Sequence, residues 1–322
     1  MKTTIKTIIK IFITISLIGY ILLTNNLSLV FEHFIEIPLY IWIACLVLQI
    51  SCVFISALRL SIFLDKIKLP TLLYARLVSN AYGFILPGQL AVEGYRAFLI
   101  GKDNNEYSKP GAAVIVDKII GLIAVLVLGI VGLLITESID RNLVVIFCIV
   151  GTTFVLFLFS LNIFFVRNNL YKLLSFLSRK IVKMSKIFTF FIQFLSQWQT
   201  YIDNKCLLIK SFLYGIVFQF LCVLIGTLFT FGVGENFHII DWLWIHAIIA
   251  IALVLPITLG GIGIRDAGII GMLGIIGIAQ EKALAISFGF LSLHLFQAFI
   301  GIGLEVIMTL RKVKTIRNTF KE

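Results

Sequence analysis

The residues with the clearest chemical potential are two arginines in matching contexts inside apolar sequence. Leu86-Pro87-Gly88-Gln89-Leu90-Ala91-Val92-Glu93-Gly94-Tyr95-Arg96 and Leu255-Pro256-Ile257-Thr258-Leu259-Gly260-Gly261-Ile262-Gly263-Ile264-Arg265 both fit L-P-x6-G-x-R, and Asp266 follows the second. Proline removes a backbone donor and ends a helix, and glycine permits the reversal that follows. A helix restarting after such a break presents free N–H groups and the positive end of its dipole. Arginine beside such a start suits an anion, most naturally a phosphate. Inside a bilayer each arginine costs at least about 2.5–3.5 kcal/mol unless paired or solvated. The structural alternative is that Arg96 pairs with Glu93 and Arg265 with Asp266, each pair only closing its own break.

Other polar residues in apolar runs extend this set. Asn80 caps or bonds the broken backbone. Asp117-Lys118 reads as an internal ion pair or, with His294, as a charge relay. His294 and Gln297 are one turn apart, facing either a cavity or a neighbouring helix. The candidate substrate-binding residues are thus Asn80, Pro87, Gly88, Glu93, Gly94, Arg96, Pro256, Gly260, Gly261, Gly263, Arg265 and Asp266. Gly268, Gly271, Gly274 and Gly277 recur every three residues and read as a close-packing stripe. There is no H-E-x-x-H, G-x-S-x-G, Walker loop or D-x-D, and Glu32 and Glu36 are the only weak catalytic candidates. The five cysteines (Cys45, Cys52, Cys148, Cys206 and Cys222) include no CxxC and read as small core residues. No cofactor or metal is implied.

The elements that must carry these residues are membrane helices. Of 322 residues, 60% are hydrophobic and 13% charged, against roughly 45–50% and about 25% in soluble domains. A mean hydropathy of +1.08 asks for the bilayer as solvent. Six runs are long enough to span, near residues 5–23, 39–58, 111–135, 143–166, 207–232 and 283–308. The first mimics a signal peptide, but no small-x-small site follows it, so it reads as an uncleaved span. Two shorter runs, 72–85 and 242–255, break at Pro87-Gly88 and at Pro256 and the glycines beyond it. They read as re-entrant hairpins of two half-helices. The expected fold is one all-α integral membrane domain over 1–322, with about six transmembrane helices and two re-entrant hairpins in an inverted repeat (halves about 5–135 and 143–308).

Charge placement sets the expected topology. The net charge is +11, and the basic residues fall in blocks between apolar runs. That distribution favours orientation and contact with anionic headgroups over nucleic acid. With the N-terminus and Lys2, Lys6 and Lys10 in the cytoplasm, the block from Arg167 to Lys210 and the C-terminal block from Arg311 also fall inside. Among loop residues only Arg141 and Lys282 break the rule. A full crossing by the first broken segment would put the Arg167–Lys210 block outside, so that segment must return to the side it entered from. Residues 167–206 carry apolar residues at helical spacing with basic residues between, expected as a cytoplasmic amphipathic segment, on the surface or packed on the bundle.

These motifs resemble the flippase-like family that includes the transmembrane region of lysyl-phosphatidylglycerol synthase. The resemblance rests on Asn80…Leu86-Pro87-Gly88…Arg96, on Asp117-Lys118-x-x-Gly121-Leu122, and on Pro256…Gly260-Gly261-Ile262-Gly263-Ile264-Arg265-Asp266, and covers almost the whole chain. The family usually has Glu-Arg or Asp-Arg at 117–118 and often Glu at 266; both differences keep the charge. The aminoacyl-transfer domain that follows the membrane region in the synthase has no counterpart, so the resemblance implies lipid translocation without lysyl transfer. The expectation is a non-enzymatic flippase of the cell membrane for an anionic phospholipid or a polyprenyl-phosphate-linked lipid. The alternatives are an accessory lipid-binding protein of cell-envelope lipid or glycan synthesis, and a membrane-embedded glycosyltransferase. Lipid-synthesis enzymes and further copies of the chain remain open as partners.

The topology makes a direct prediction. A cysteine introduced at Ser178, within the basic block, reacts with a membrane-impermeant thiol reagent only after the inner membrane is permeabilised. Labelling in intact cells would overturn both the orientation and the return of the first broken segment.

Overall fold

The computed structural model describes residues 26–136 apart from 87, 103 and 104, residues 185–319 apart from 255–257, 259 and 260, and scattered positions at 16, 19, 141–142, 144–145, 149 and 151–153. The expected spans near 5–23 and 143–166 therefore lie largely outside the described residues. So do 167–184 of the amphipathic segment, together with Pro87, Pro256, Gly260 and Cys148.

The described residues form helices and no strand. In chain order they are α1 (Leu27–Glu36), α2 (Leu39–Ser61), α3 (Leu69–Tyr82), α4 (Gln89–Gly101), α5 (Ser108–Ile135), α6 (Ser185–Asp203), α7 (Lys205–Gly232), α8 (Ile239–Ala252), α9 (Ile264–Ile275) and α10 (Gln280–Thr319). Apolar sequence in lipid has no other way to satisfy its backbone, short of a closed barrel. Among the described residues α2, α5, α7 and the first 31 residues of α10 are long and apolar enough to cross a membrane. These four fall on the spans expected near 39–58, 111–135, 207–232 and 283–308, each extended by a few residues. The chain is an all-α membrane protein.

Local chemistry sets several boundaries. The Asn26 side chain accepts the Ser28 N–H at 3.2 Å and caps α1, and Pro38 separates α1 from α2. Asn204 caps α7 through the Leu207 N–H at 3.2 Å. The two segments expected to break do break. α3 and α4 have 14 and 13 residues, and α8 and α9 have 14 and 12. At about 1.5 Å per residue each is roughly 18–21 Å long, short of the ~30 Å hydrocarbon core. Within each segment the two short helices pack against each other.

Two apolar clusters hold the bundle. One gathers the end of α2 nearest α1 with α7, α8, α9 and α10 around Phe229, Trp242 and Trp244. Its rings meet edge to face or tilted, with centroids 5.2 Å apart for Trp42–Phe229 and 5.6 Å for Phe229–Phe290. The other joins the opposite end of α2 to α3, α4, α5 and Tyr201 of α6. The described part of the amphipathic segment, α6, packs on α5 rather than standing apart from the bundle.

Glycine does set close helix approaches, but not along the expected stripe. Of Gly268, Gly271, Gly274 and Gly277, only Gly268 approaches a neighbour, Ile249; the other three face open space. The close approaches are elsewhere. Gly132 of α5 lies against the Leu243 side chain and the Trp244 backbone of α8, and Gly226 of α7 lies under the Trp242 ring. A period of three marks a helix face but does not say that another helix covers it.

Gly226→Ala should therefore destabilise the fold. A Cβ there would fall 2.6–2.8 Å from three atoms of the Trp242 ring, a side chain only 1% exposed. Overpacking of this kind costs about 1–3 kcal/mol, read as a lower melting temperature in detergent. Gly271→Ala, with nothing within 4 Å, should melt no lower than the parent.

Candidate functional site: a cationic cavity at the broken helices

The backbone at the two breaks is built for glycine. Gly88, immediately before α4, has φ 89°, and Gly263, immediately before α9, also has φ 89°. L-residues rarely adopt such angles. The Asp266 side chain reaches back to accept the Gly263 N–H at 2.8 Å, covering one of the free donors at the start of α9.

These two starts show that the sequence motifs are not structurally equivalent. Aligning the motifs pairs Arg96 with Arg265. Yet α4 begins five residues before Gly94, while α9 begins directly after the matching glycine, Gly263. Arg265 is therefore the second residue of its helix and Arg96 lies two turns inside its own. Gly94 is consequently a helix-interior residue with nothing near its Cβ position, not a reversal point.

A cavity of about 310 Å³ lies between the broken helices and α2, α5, α7 and α10. Of the candidate residues, Asn80, Gly88, Glu93, Lys118, Arg265 and His294 line it. Arg96, Asp117 and Asp266 stand behind the wall, bonded to residues on or beside it. Arg96 is 1% exposed. Its Nη1 donates to Glu93 Oε2 at 3.4 Å and lies 3.7 Å from Asp117 Oδ2, and its Nη2 donates to the Ser56 carbonyl at 3.4 Å. It does not line the cavity but stands one ion pair behind the wall.

Two cations on the wall were missed in the sequence. Arg59 of α2 directly follows the apolar run 39–58, where it reads as a loop charge, and Arg76 falls inside an apolar run. The signal for Arg76 was present, since an arginine in such a run is costly without a role. Arg59 grips Asp117 with a two-pronged contact, Nε to Oδ1 at 2.5 Å and Nη2 to Oδ2 at 3.0 Å. Its guanidinium centre lies 5.7 Å from the Phe218 ring centroid. Asp117 thus pairs with Arg59 and Arg96, not with adjacent Lys118. Lys118 Nζ donates to Gln89 Oε1 at 2.6 Å instead. Arg76 Nη1 contacts Glu93 Oε1 at 3.5 Å. On the far wall Arg265 Nη2 donates to Asp266 Oδ1 at 3.2 Å, and Ser287 donates to the same oxygen.

The remaining polar wall is amide and imidazole. Asn80 Nδ2 donates to Gln297 Oε1 at 3.2 Å, joining α3 to α10. Gln219 Nε2 donates to the Gly121 carbonyl at 3.0 Å, and its Oε1 lies 2.9 Å from His246 Nε2. His294 Nδ1 lies 2.7 Å from the Phe290 carbonyl one turn back. Among the described residues no group of three or more metal-ligating side chains converges.

The electrostatics are lopsided. Arg59, Arg76, Arg96, Lys118 and Arg265 face only Glu93, Asp117 and Asp266 in this cluster, leaving two positive charges uncompensated. Several donors also lack partners: Arg59 Nη1, Arg76 Nε and Arg265 Nε are buried without a hydrogen bond. An unsatisfied buried donor of a charged group costs at least about 1–3 kcal/mol. The arrangement can accept an anion with several lone pairs.

Asp117 is the test of the wall behind the cavity. Asp117→Asn should lower stability by about 3–5 kcal/mol, because Arg59 and Arg96 then keep buried charge without its carboxylate. Pairing it with Arg59→Gln should recover part of that loss. Melting temperatures in detergent for the two single variants and the double variant give the coupling directly.

Residues 7–301 match the family described as the lysylphosphatidylglycerol synthase TM region. No curated protein and no solved structure gives a match. The match runs through both broken segments and every cavity wall described above, and on that extent the chain belongs to the lysylphosphatidylglycerol synthase TM region family.

Proposed function

We propose that this protein is a lipid flippase of the cell membrane that carries an anionic headgroup through the cavity between the broken helices while the acyl or prenyl tails stay in the bilayer. The observation that carries the reading is the excess of cations over carboxylates in a cavity surrounded by apolar helices. In hydrocarbon that excess is tolerable only if water or an anion supplies the missing charge. The family supports a lipid role, and the short helix pairs support two re-entrant hairpins completing about six spans. Both termini lie in the cytoplasm in this reading, in keeping with the basic blocks at each end. Discontinuous helices meeting near the midplane are the usual setting of a transporter's substrate site. No covalent chemistry on the lipid is assigned.

Arg265 and Arg76 are the residues expected to touch the headgroup, from opposite walls. In proteoliposomes read by a leaflet-resolved fluorescent-lipid assay, Arg265→Gln and Arg76→Gln should each slow exchange of an anionic phospholipid by about tenfold or more. That is the loss of one charged hydrogen bond, about 1.5–3 kcal/mol. Both proteins should remain folded in the membrane. Arg265→Lys should restore only part of the rate, since a point charge lacks the guanidinium fork. Arg96→Gln should instead lower the melting temperature. Full exchange by well-folded Arg265→Gln would end the case for this site. Headgroup-dependent lipid binding without any exchange between leaflets would assign the accessory lipid-binding role.

A further inference from the structure

Building on the flippase reading, we infer that the cavity selects a phosphodiester headgroup bearing hydroxyl groups and no amine, such as a glycerol- or sugar-phosphate lipid. Two features of the wall lead there. The first is charge. Four cations line the cavity, namely Arg59, Arg76, Lys118 and Arg265, with Glu93 as the single acidic side chain among the described lining residues. Glu93 already lies between two guanidiniums, at 3.5 Å from Arg76 and 3.4 Å from Arg96. Asp117 and Asp266 are likewise committed to arginines behind the wall. An ammonium group entering here meets like charge and no free carboxylate, and like-charge juxtaposition in a desolvated site costs several kcal/mol. A phosphate meets Arg76 and Arg265, each of which holds one buried donor without a partner.

The second feature is the neutral part of the wall. Asn80, Gln297, Gln89, Gln219 and His246 all line the cavity and hold one another or their neighbours through one contact each, or two for Gln219. Each side-chain amide offers two N–H donors and about two acceptor sites, so every one keeps capacity after those contacts. The contacts also fix their orientation, which lowers the ordering cost of binding. Amides that both donate and accept suit hydroxyl groups, which do the same. A headgroup with only a phosphate would leave this part of the wall without polar partners.

The test reads binding, separately from transport. Purified protein in detergent is given equimolar mixtures of lipids with identical acyl chains, and bound adducts are counted by native mass spectrometry. Phosphatidylglycerol should exceed its lysyl ester by at least about tenfold, about 1.4 kcal/mol or more. It should exceed phosphatidylethanol, which keeps the phosphodiester but has no head hydroxyl, by roughly two- to tenfold, as expected for one net hydrogen bond. In Lys118→Gln the disadvantage of the lysyl ester should shrink several-fold while the preference over phosphatidylethanol persists. Equal or stronger binding of the lysyl ester, or no preference over phosphatidylethanol, overturns the headgroup assignment. An unchanged ratio in Lys118→Gln removes it from this cavity. Water-soluble glycerophosphoglycerol should not displace the lipid at equal concentration; full displacement would transfer the same headgroup chemistry to a soluble ligand and overturn the lipid assignment. If the binding preferences hold but no lipid exchanges between leaflets, the flippase reading fails and the headgroup assignment stands.

Discussion

The interaction on which the rest of the site depends is the fork between Arg59 and Asp117. Both side chains are buried, and both lie on helices long and apolar enough to cross a membrane. An isolated charge in such a place carries a penalty of several kcal/mol that only close pairing offsets. Their contact pins α2 to α5, and Gly121 on α5 leaves the room for it, since a Cβ there would fall 3.0 Å from Arg59 Nη1. Gly215 on α7 gives the same guanidinium space from a third helix, with its Cβ position 3.5 Å away. One ion pair therefore fixes the mutual placement of three long helices around the cavity.

From that anchor the charges run as a chain. Asp117 also faces Arg96, Arg96 faces Glu93, and Glu93 faces Arg76 at the cavity edge. Sign alternates along the row, so each buried charge has an opposite neighbour. The alternation ends on a cation at the wall, where the neighbour can come only from the cavity. Arg265 on the opposite side has one carboxylate, and that carboxylate is shared with Ser287 and the Gly263 N–H. The cavity is thus positive because the pairing that stabilises the interior stops at its surface.

Much of the architecture was legible in sequence because the bilayer allows few solutions. Apolar length gave the described spans to within a few residues, and proline with glycine marked both breaks. What the motifs could not give was register. L-P-x6-G-x-R places Arg96 and Arg265 at one position of a pattern, but helix α4 starts at the first glycine of its motif and α9 at the last. That six-residue difference carries Arg96 two turns away from the break and into the ion-pair chain. It also explains why Gly94 has no close neighbour while Gly263 needs a positive φ. Lys118 was expected to pair with Asp117, but consecutive residues on a helix point about 100° apart, so each found a different partner.

Arg59 shows the converse limit. Counted along the chain it belongs to the positive block that follows the second span, where the orientation rule uses it as a loop charge. In three dimensions it is the third-last residue of α2 and only 6% exposed. A residue at the end of a span can serve topology or the interior, and linear sequence does not distinguish the two, because the deciding partner, Asp117, lies 58 positions away. Arg76 differs: its partner Glu93 is 17 positions away across the break, close enough that the broken segment itself brings them together. Breaking the helix therefore does two things at once. It frees backbone donors at the start of α4, and it folds an arginine and a glutamate of one apolar segment into contact at the cavity wall. An unbroken helix would hold those two residues about 25 Å apart along its axis, too far to pair.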